Sequence, residues 1–350
     1  MTASQKQTLK HLLRVLVILV VLLAAVVLIR RHQASKAQEA DASASTSAQT
    51  VTDSDVTYNA LTYSNGTATL SFALNDDGEW YWVDDPDFPL DGDYITKIVN
   101  TISGLYPQQT ITGGDTLEAY GLDDPAMTLT ATAADGSSLT CALGNQAAGE
   151  SNDYYLMLNG DDSTVYVITD TLHSELSNGI YDMMALPELP VLDESQLVSV
   201  TVTGRGRDPV TLTASVSAAA EASADSSAAD GSQTEQTVSW SVNGTDVTDS
   251  QTVQELISAV RTLKLDRCVD YKPSSSVSAL CGLDDPRAVV SVVYRDGSGE
   301  EQTLELTVGG ATASDESSLH VRLAEDSTIY AMTTDALSGI LAVADAGLNG

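Results

Sequence analysis

Hydrophobic and polar residues alternate along two parts of the chain with the two-residue period of β-strands. In the first part, this alternation predicts strands at residues 70–74 and 80–83, on either side of a turn at residues 75–78. Between residues 95 and 105 the hydrophobic positions are spaced by three or four residues, with one adjacent pair. That spacing predicts an amphipathic helix after the second strand.

The second part repeats this pattern. Alternation predicts strands at residues 198–202, 210–212 and 238–242, and a stripe of helical period follows over residues 253–263. An aspartate precedes each stripe, Asp91 in the first part and Asp249 in the second. We expect each carboxylate to accept a hydrogen bond from the unpaired N–H groups at the start of its helix.

A five-residue motif also occurs twice, after each predicted helix. The two copies are Gly121-Leu122-Asp123-Asp124-Pro125 and Gly282-Leu283-Asp284-Asp285-Pro286. Other matching pairs surround them: Trp82 with Trp240, and Leu143-Gly144 with Val308-Gly309. The sequence therefore predicts a duplication, since internal repeats of this kind mark repeated folding units.

The predicted fold class is α+β. Two tandem, mainly antiparallel β modules, each with one amphipathic helix, are expected at residues 56–180 and 195–345, joined by a connector at residues 181–194. A final short helix is predicted in each module, at residues 170–176 and 334–341. Residues 214–236 are rich in Ala, Ser and Asp, so a disordered insertion is expected within a hairpin loop of the second module.

The N-terminal region has the composition of a membrane anchor. Residues 12–29 form an apolar run that, at about 1.5 Å per residue, matches a hydrocarbon core ~30 Å thick. A cleaved signal peptide is the alternative, but Arg30 and Arg31 follow the run directly. We expect a cytoplasmic tail at residues 1–11, a single transmembrane helix at residues 12–29, and a flexible stalk at residues 30–55.

Charge bears on partners and location. The 350 residues carry a formal charge of −33, and six of the 16 Lys and Arg residues lie in the first 36 positions. So acidic a chain is not expected to bind nucleic acid, because phosphate attraction needs a basic surface. The counts of Lys and Arg on the two sides of the apolar run nearly balance, so composition decides the orientation. A small-residue stalk followed by lysine-poor β modules favours a cell-membrane location with the bulk of the chain extracytoplasmic.

The repeated motif has a structural and a chemical interpretation. Glycine permits a positive φ and proline restricts the residue before it, so the motif is typical of a sharp turn whose leucine enters the core. The alternative is a paired-carboxylate site at Asp123-Asp124 or Asp284-Asp285, as in a hydrolase. That alternative lacks additional ligands at recognisable spacing, and the residue pattern predicts no catalytic, cofactor or metal site.

Three other groups of residues are candidates for chemistry. His173 and His320 have no Cys or His at zinc-ligand spacing, and His320 is expected on the surface of a strand. Cys268 and Cys281 would be able to pair if oxidised, though nothing in the sequence requires it. Trp80 and Tyr81 have no counterpart in the second module, so one of them is a candidate for a glycan or partner groove.

The arrangement resembles the bacterial family known as domain of unknown function 4340. The resemblance lies in the N-terminal apolar segment, the strand with Trp82, the helical stripe, the turn at residues 120–125 and the strand ending Leu143-Gly144. The second copy departs from it with Cys281 in place of Tyr120. By association with neighbouring genes, the resemblance implies an accessory role beside ABC transporters.

The leading hypothesis is therefore a non-enzymatic, single-pass envelope protein that acts as a scaffold or accessory subunit of an ABC-type transport system. Its partners would be the membrane, through the N-terminal helix, and subunits of the transporter. The alternative is an extracytoplasmic module that binds glycan or peptide through Trp80 and Tyr81.

Overall fold

The structure is a computed structural model that describes residues 50–149, 152–218, 236–313 and 315–349. The chain divides into two compact units, Met1–Asn178 and Gly179–Gly350. Each unit contains one antiparallel sheet and, among the described residues, three short α-helices. The expectation of two mainly antiparallel β modules with few helices is thus confirmed.

The first unit is built on an eight-stranded sheet. Its strands are β1 (Tyr58–Ser64), β2 (Thr69–Leu74), β3 (Trp80–Trp82), β4 (Gln109–Thr112), β5 (Met127–Ala133), β6 (Ser138–Gln146), β7 (Tyr154–Leu158) and β8 (Thr164–Ile168). Its helices are α1 (Asp93–Ser103), α2 (Leu117–Tyr120) and α3 (Thr171–Leu176). The strand order is β3-β2-β1-β5-β6-β7-β8-β4, and neighbouring strands are antiparallel.

The second unit is built on a nine-stranded sheet. Its strands are β9 (Leu197–Gly204), β10 (Val210–Ala218), β11 (Gln236–Val242), β12 (Thr245–Asp246), β13 (Arg267–Asp270), β14 (Ala288–Arg295), β15 (Glu301–Ala311), β16 (Ser318–Leu323) and β17 (Ile329–Thr333). Its helices are α4 (Gln251–Arg261), α5 (Ser275–Leu280) and α6 (Ser338–Ala346). The order is β12-β11-β10-β9-β14-β15-β16-β17-β13, which repeats the order of the first sheet with β12 added at one edge.

The amphipathic helices form the main core of each unit with the sheet. In α1, Ile95, Ile98 and Ile102 are fully buried, which confirms the predicted stripe. The matching face of α4 is buried at Val253, Leu256, Ile257 and Val260. Helix α1 packs against α3, and α4 packs against α6. Burial of one apolar helix face against a sheet is the main source of stability for helices this short.

A smaller hydrophobic cluster lies on the other face of the first sheet. Ala142 belongs to it, together with Tyr120 and Leu122 of the motif region. Its neighbours Cys141 and Leu143 are buried outside this cluster, and successive strand residues point to opposite faces. The second unit has a corresponding cluster of Cys281, Leu283 and Ile329.

The two edge strands β4 and β13 were not predicted from the hydrophobic pattern. Each has four residues, and each has a single buried one, Ile111 in β4 and Cys268 in β13. So short a strand shows no alternation over enough positions to be recognised. Helix α2 was missed for the same reason, because it also has only four residues.

The final helices are close to their predicted positions in one unit and displaced in the other. Helix α3 begins at Thr171, but α6 spans Ser338–Ala346 rather than residues 334–341. Residues 334–337 form a turn in which the Leu337 N–H donates to the Thr333 carbonyl at 3.3 Å. The helix then continues further because Val343 and Ala344 are buried.

Residues from the predicted stalk, connector and disordered insertion belong to the folded units. The Val51 N–H donates to the Leu105 carbonyl at 3.0 Å, so the end of the predicted stalk packs on the first unit. In the connector, Met183 and Leu192 are buried in the second unit. In the predicted insertion, β10 continues to Ala218, which pairs with Gln236; residues 219–235 lie outside the described residues.

The N-terminal expectations fall outside what the structure describes. The predicted tail, transmembrane helix and most of the stalk lie in residues 1–49, which are not among the described residues. Within the described part of the chain, no helix has the length and apolar character needed to cross a membrane.

Candidate functional site

The repeated motif closes a short helix with a left-handed glycine. Gly121 has φ of 68° and Gly282 has φ of 72°, a conformation that favours glycine. The Gly121 N–H donates to the Glu118 carbonyl at 3.1 Å, and the Leu122 N–H donates to the Leu117 carbonyl at 2.9 Å. This pair of bonds is the Schellman motif that satisfies the last carbonyls of a helix. The second copy makes the equivalent bonds, from Gly282 to Ala279 and from Leu283 to Ser278.

The turn rests on a second glycine that lies in the sheet. A Cβ atom placed on Gly144 would lie 2.2 Å from the Tyr120 carbonyl oxygen. In the second unit, a Cβ atom on Gly309 would lie 2.2 Å from the Cys281 carbonyl oxygen. The turn and the strand glycine, recognised separately in the sequence, therefore meet in both units. Their spacing is explained by this contact between backbones. The expected end of the strand at this glycine is wrong, because β6 and β15 each continue two residues further, to Gln146 and Ala311.

The two leucines of the motif are buried, as the turn interpretation predicts. Leu122 is 2% exposed and Leu283 is 3% exposed. The four carboxylates are exposed, and Asp285 forms an ion pair with Arg205 at 3.2 Å. Among the described residues, no group of three or more His, Cys, Asp or Glu side chains is arranged to hold a metal ion. The geometry supports a structural turn, with its aspartates facing solvent.

The aromatic strand β3 presents its side chains on two faces. Trp82 lies opposite Phe72, and Trp80 lies opposite Leu74, on the face that carries the buried Phe72. Tyr81 lies between them and so points to the other face. Trp80 and Tyr81 are both half-buried, and a flat ligand on either face would contact only one of them.

The strand pairing matches Trp240 to Trp80 rather than to Trp82. Trp80 lies opposite Leu74 and Trp240 lies opposite Ala214, and Leu74 and Ala214 are equivalent positions on the second strand of each sheet. The expected match of Trp82 with Trp240 is therefore wrong.

Trp240 is fully buried, and its indole Nε1 donates to Glu194 at 2.8 Å. Trp82 packs edge-on against Phe88 with ring centroids 5.6 Å apart, and its buried Nε1 has no hydrogen-bond partner among the described residues. Trp240 thus belongs to the core of the second unit, whereas Trp82 is half-buried in the first unit.

The three cysteines are free and buried. Desolvation raises the pKa of Cys141 to about 12. Desolvation, with the charges of Asp270 and Asp326, raises the pKa of Cys268 to about 12. Burial, followed by the charge of Asp270, also raises the pKa of Cys281. Thiols are nucleophilic as thiolates, so these cysteines act as small hydrophobic residues at neutral pH.

The two histidines have different surroundings. His320 is 8% exposed, so the expectation of a surface position is wrong. Strand β16 is covered on both faces, since all four residues from Ser318 to Val321 are buried. The His320 Nδ1 lies 3.0 Å from the Gly310 carbonyl oxygen, and desolvation lowers the histidine pKa. His173 stacks on Tyr154 with ring centroids 4.0 Å apart.

Glu175 was not singled out from the sequence. It lies on α3, where Thr101 Oγ1 of α1 donates to its Oε1 at 3.0 Å. Its Oε2 is buried without a hydrogen-bond partner among the described residues. Desolvation raises the pKa of this carboxyl, while the Thr101 hydrogen bond and the Lys97 charge oppose the rise. The sequence offered one signal for Glu175, its position three residues after the buried Leu172. That spacing is too common in helices to identify a buried glutamate.

The fold and this set of sites define a class: a duplicated antiparallel α+β protein whose repeated residues hold a turn against a sheet. The sequence model of the family described as domain of unknown function (DUF4340) matches residues 80–249 and again residues 240–337. The chain therefore belongs to the DUF4340 family. Comparison with the curated proteins and with the solved structures finds no match.

Proposed function

We propose that this protein is a non-enzymatic, single-pass envelope protein whose two modules serve as a scaffold or accessory subunit of an ABC-type transport system. The observation that carries the proposal is that the duplicated residues serve packing in both units. Both copies of the motif hold a helix end against a strand glycine, and their carboxylates are exposed to solvent. Residues that are repeated for packing serve the fold, so the proposal places the function on the surfaces that the two modules present.

The anchor belongs to the same proposal. Residues 12–29 would hold the chain in the membrane, with residues 30–49 as a tether and both modules outside the cytoplasm. The strongly acidic composition agrees with a partner other than nucleic acid.

Purification of the tagged full chain from its native membrane tests the proposal. After solubilisation in mild detergent, we expect an ATP-binding cassette subunit and a membrane-spanning permease subunit to co-purify with it. A chain lacking residues 12–29 is the matched control and should recover neither subunit. If the full chain is always recovered alone, including after chemical crosslinking in cells, the proposed role is wrong.

A further inference from the structure

A cavity of about 410 Å³ lies in the second unit, between the β9–β10 turn and the end of α6. Its apolar part is formed by Val202, Val210 and Val343, and its rim includes Arg207 and Asp208. Small-molecule sites in proteins commonly have volumes of roughly 300–1,000 Å³ and combine an apolar lining with a few polar groups. The described rim and lining have that composition.

In the first unit, a buried tyrosine occupies the equivalent position. Tyr63 lies opposite Leu129, and Val202 lies opposite Val290. Leu129 and Val290 each follow the proline of the repeated motif by four residues, so Tyr63 and Val202 are equivalent. The Tyr63 hydroxyl donates to the Asn178 carbonyl at 2.7 Å, closing the gap to the residues after α3.

Two residues further along the same strand, the side chain is again smaller in the second unit than in the first. Asn65 in the first unit donates from Nδ2 to the Leu176 carbonyl at 3.2 Å, at the end of α3. Its equivalent in the second unit is Gly204, where an added Cβ would lie 1.9 Å from the Ala344 carbonyl oxygen. The second unit therefore brings its backbone against α6 at Gly204 and leaves the space beside it open.

Three arginines lie near this cavity, and two of them are paired with aspartates. Arg205 pairs with Asp285 at 3.2 Å, and Arg287 pairs with Asp345 at 2.6 Å. Arg207 forms no ion pair with any residue in the described part of the chain, although its charge helps the Arg287 hydrogen bond to lower the pKa of Asp345. In the equivalent turn of the first unit, residues 65–69 contain no Lys or Arg.

We propose that this cavity binds a small aliphatic α-amino acid. The planar guanidinium of Arg207 matches a carboxylate, with which arginine forms paired hydrogen bonds. The adjacent Asp208 carboxylate accepts hydrogen bonds from the ligand ammonium group. The half-buried Val210 then contacts the aliphatic side chain, and Val202 and Val343, which also line the cavity, are already buried.

Titration of the full chain with L-leucine, followed by calorimetry and by saturation-transfer NMR, tests this assignment. N-acetyl-L-leucine lacks the ammonium group, and L-leucinamide lacks the carboxylate. We expect L-leucine to bind and each blocked analogue to bind at least about tenfold more weakly, since a charged partner is left unpaired. Equal binding of all three compounds, or no binding of L-leucine at millimolar concentration, overturns the proposal.

Three variants test whether L-leucine binds in this cavity or elsewhere on the protein surface. Arg207→Gln should weaken L-leucine binding about tenfold and remove the preference over L-leucinamide. Val210→Leu, which copies Leu70 of the first unit, should weaken binding by reducing the space. Arg295→Gln is the charge-matched control, because Arg295 pairs with Glu301 and does not line the cavity. Unchanged binding in folded Arg207→Gln protein, checked by circular dichroism, would show that the ligand site is elsewhere.

Discussion

At the scale of single residues, Glu175 shows how burial changes the behaviour of a carboxylate. Its pKa is raised above the ordinary 4.5, mainly by desolvation. The folded state therefore binds the proton at a higher pH than the unfolded state does. It follows that the stability contributed by this group falls as pH rises from about 4.5 through the raised folded pKa. At neutral pH the charged, half-buried carboxylate is unfavourable to folding.

Glu175→Gln should therefore raise the melting temperature at pH 7.5. The amide keeps an oxygen that accepts from Thr101 and removes the charge whose burial is unfavourable. The gain over the wild type should shrink towards zero at pH 4, where Glu175 is protonated in both states. Thermal denaturation followed by circular dichroism at the two pH values measures this difference.

Glu118→Gln is the control for that comparison, because Glu118 is exposed on α2 in the same unit. Its melting temperature should follow the wild type at both pH values. A gain from Glu175→Gln that is the same at pH 4 and pH 7.5 would show that charge burial is not its cause.

At the scale of elements, both units share the contact between the motif turn and the strand glycine. In each unit the carbonyl oxygen before the left-handed glycine lies where a Cβ atom would otherwise be. Both partners in this contact are backbone, so neither can move aside as a flexible side chain would. A substitution must therefore displace the turn or the strand.

Gly309→Ala should destabilise the second unit by about 1–3 kcal/mol, the range of core overpacking. Gly144→Ala should have a similar effect on the first unit, because the Cβ would again lie 2.2 Å from a carbonyl oxygen. Gly297→Ala is the matched control, since a Cβ there has no heavy atom within 4 Å, and it should change stability by less than about 0.5 kcal/mol. Urea denaturation measures all three, and equal stabilities for Gly309→Ala and Gly297→Ala would contradict the argument.

The elements that could be predicted from the sequence are those long enough for hydrophobic residues to recur over several periods. The α1 and α4 stripes and the Leu122 and Leu283 positions follow from hydrophobic spacing and turn chemistry, which are local. The short edge strands β4 and β13 depend on pairing with β8 and β17, so their local sequence carries little signal.

Some features of the sites depend on contacts that sequence spacing does not reveal. His320 was misplaced because alternation assigns one face to solvent, whereas β16 is buried on both. The cavity beside Arg207 was not foreseen, since it arises from the exchange of Tyr63 for Val202 between two copies that are otherwise alike.

At the scale of the whole molecule, charge is distributed unequally between the units. Residues 50–178 contain 21 Asp and Glu residues, and Lys97 is their only Lys or Arg. Residues 179–350 contain 26 Asp and Glu residues and nine Lys and Arg residues. Like charges on a compact unit repel one another and reduce its stability. Self-repulsion should therefore weigh more on the first unit.

Added salt should stabilise the first unit more than the second. The screening length falls from about 30 Å at 0.01 M to about 10 Å at 0.1 M ionic strength, so repulsion between exposed carboxylates weakens. The full-length Trp240→Phe variant retains Trp80 and Trp82, and its tryptophan fluorescence reports on the first unit alone. Its fluorescence melting temperature should rise with sodium chloride over this range. Replacing both exposed carboxylates of the first motif (Asp123→Asn with Asp124→Asn) should make the rise in melting temperature smaller. A melting temperature that does not depend on salt would show that self-repulsion does not limit the stability of this unit.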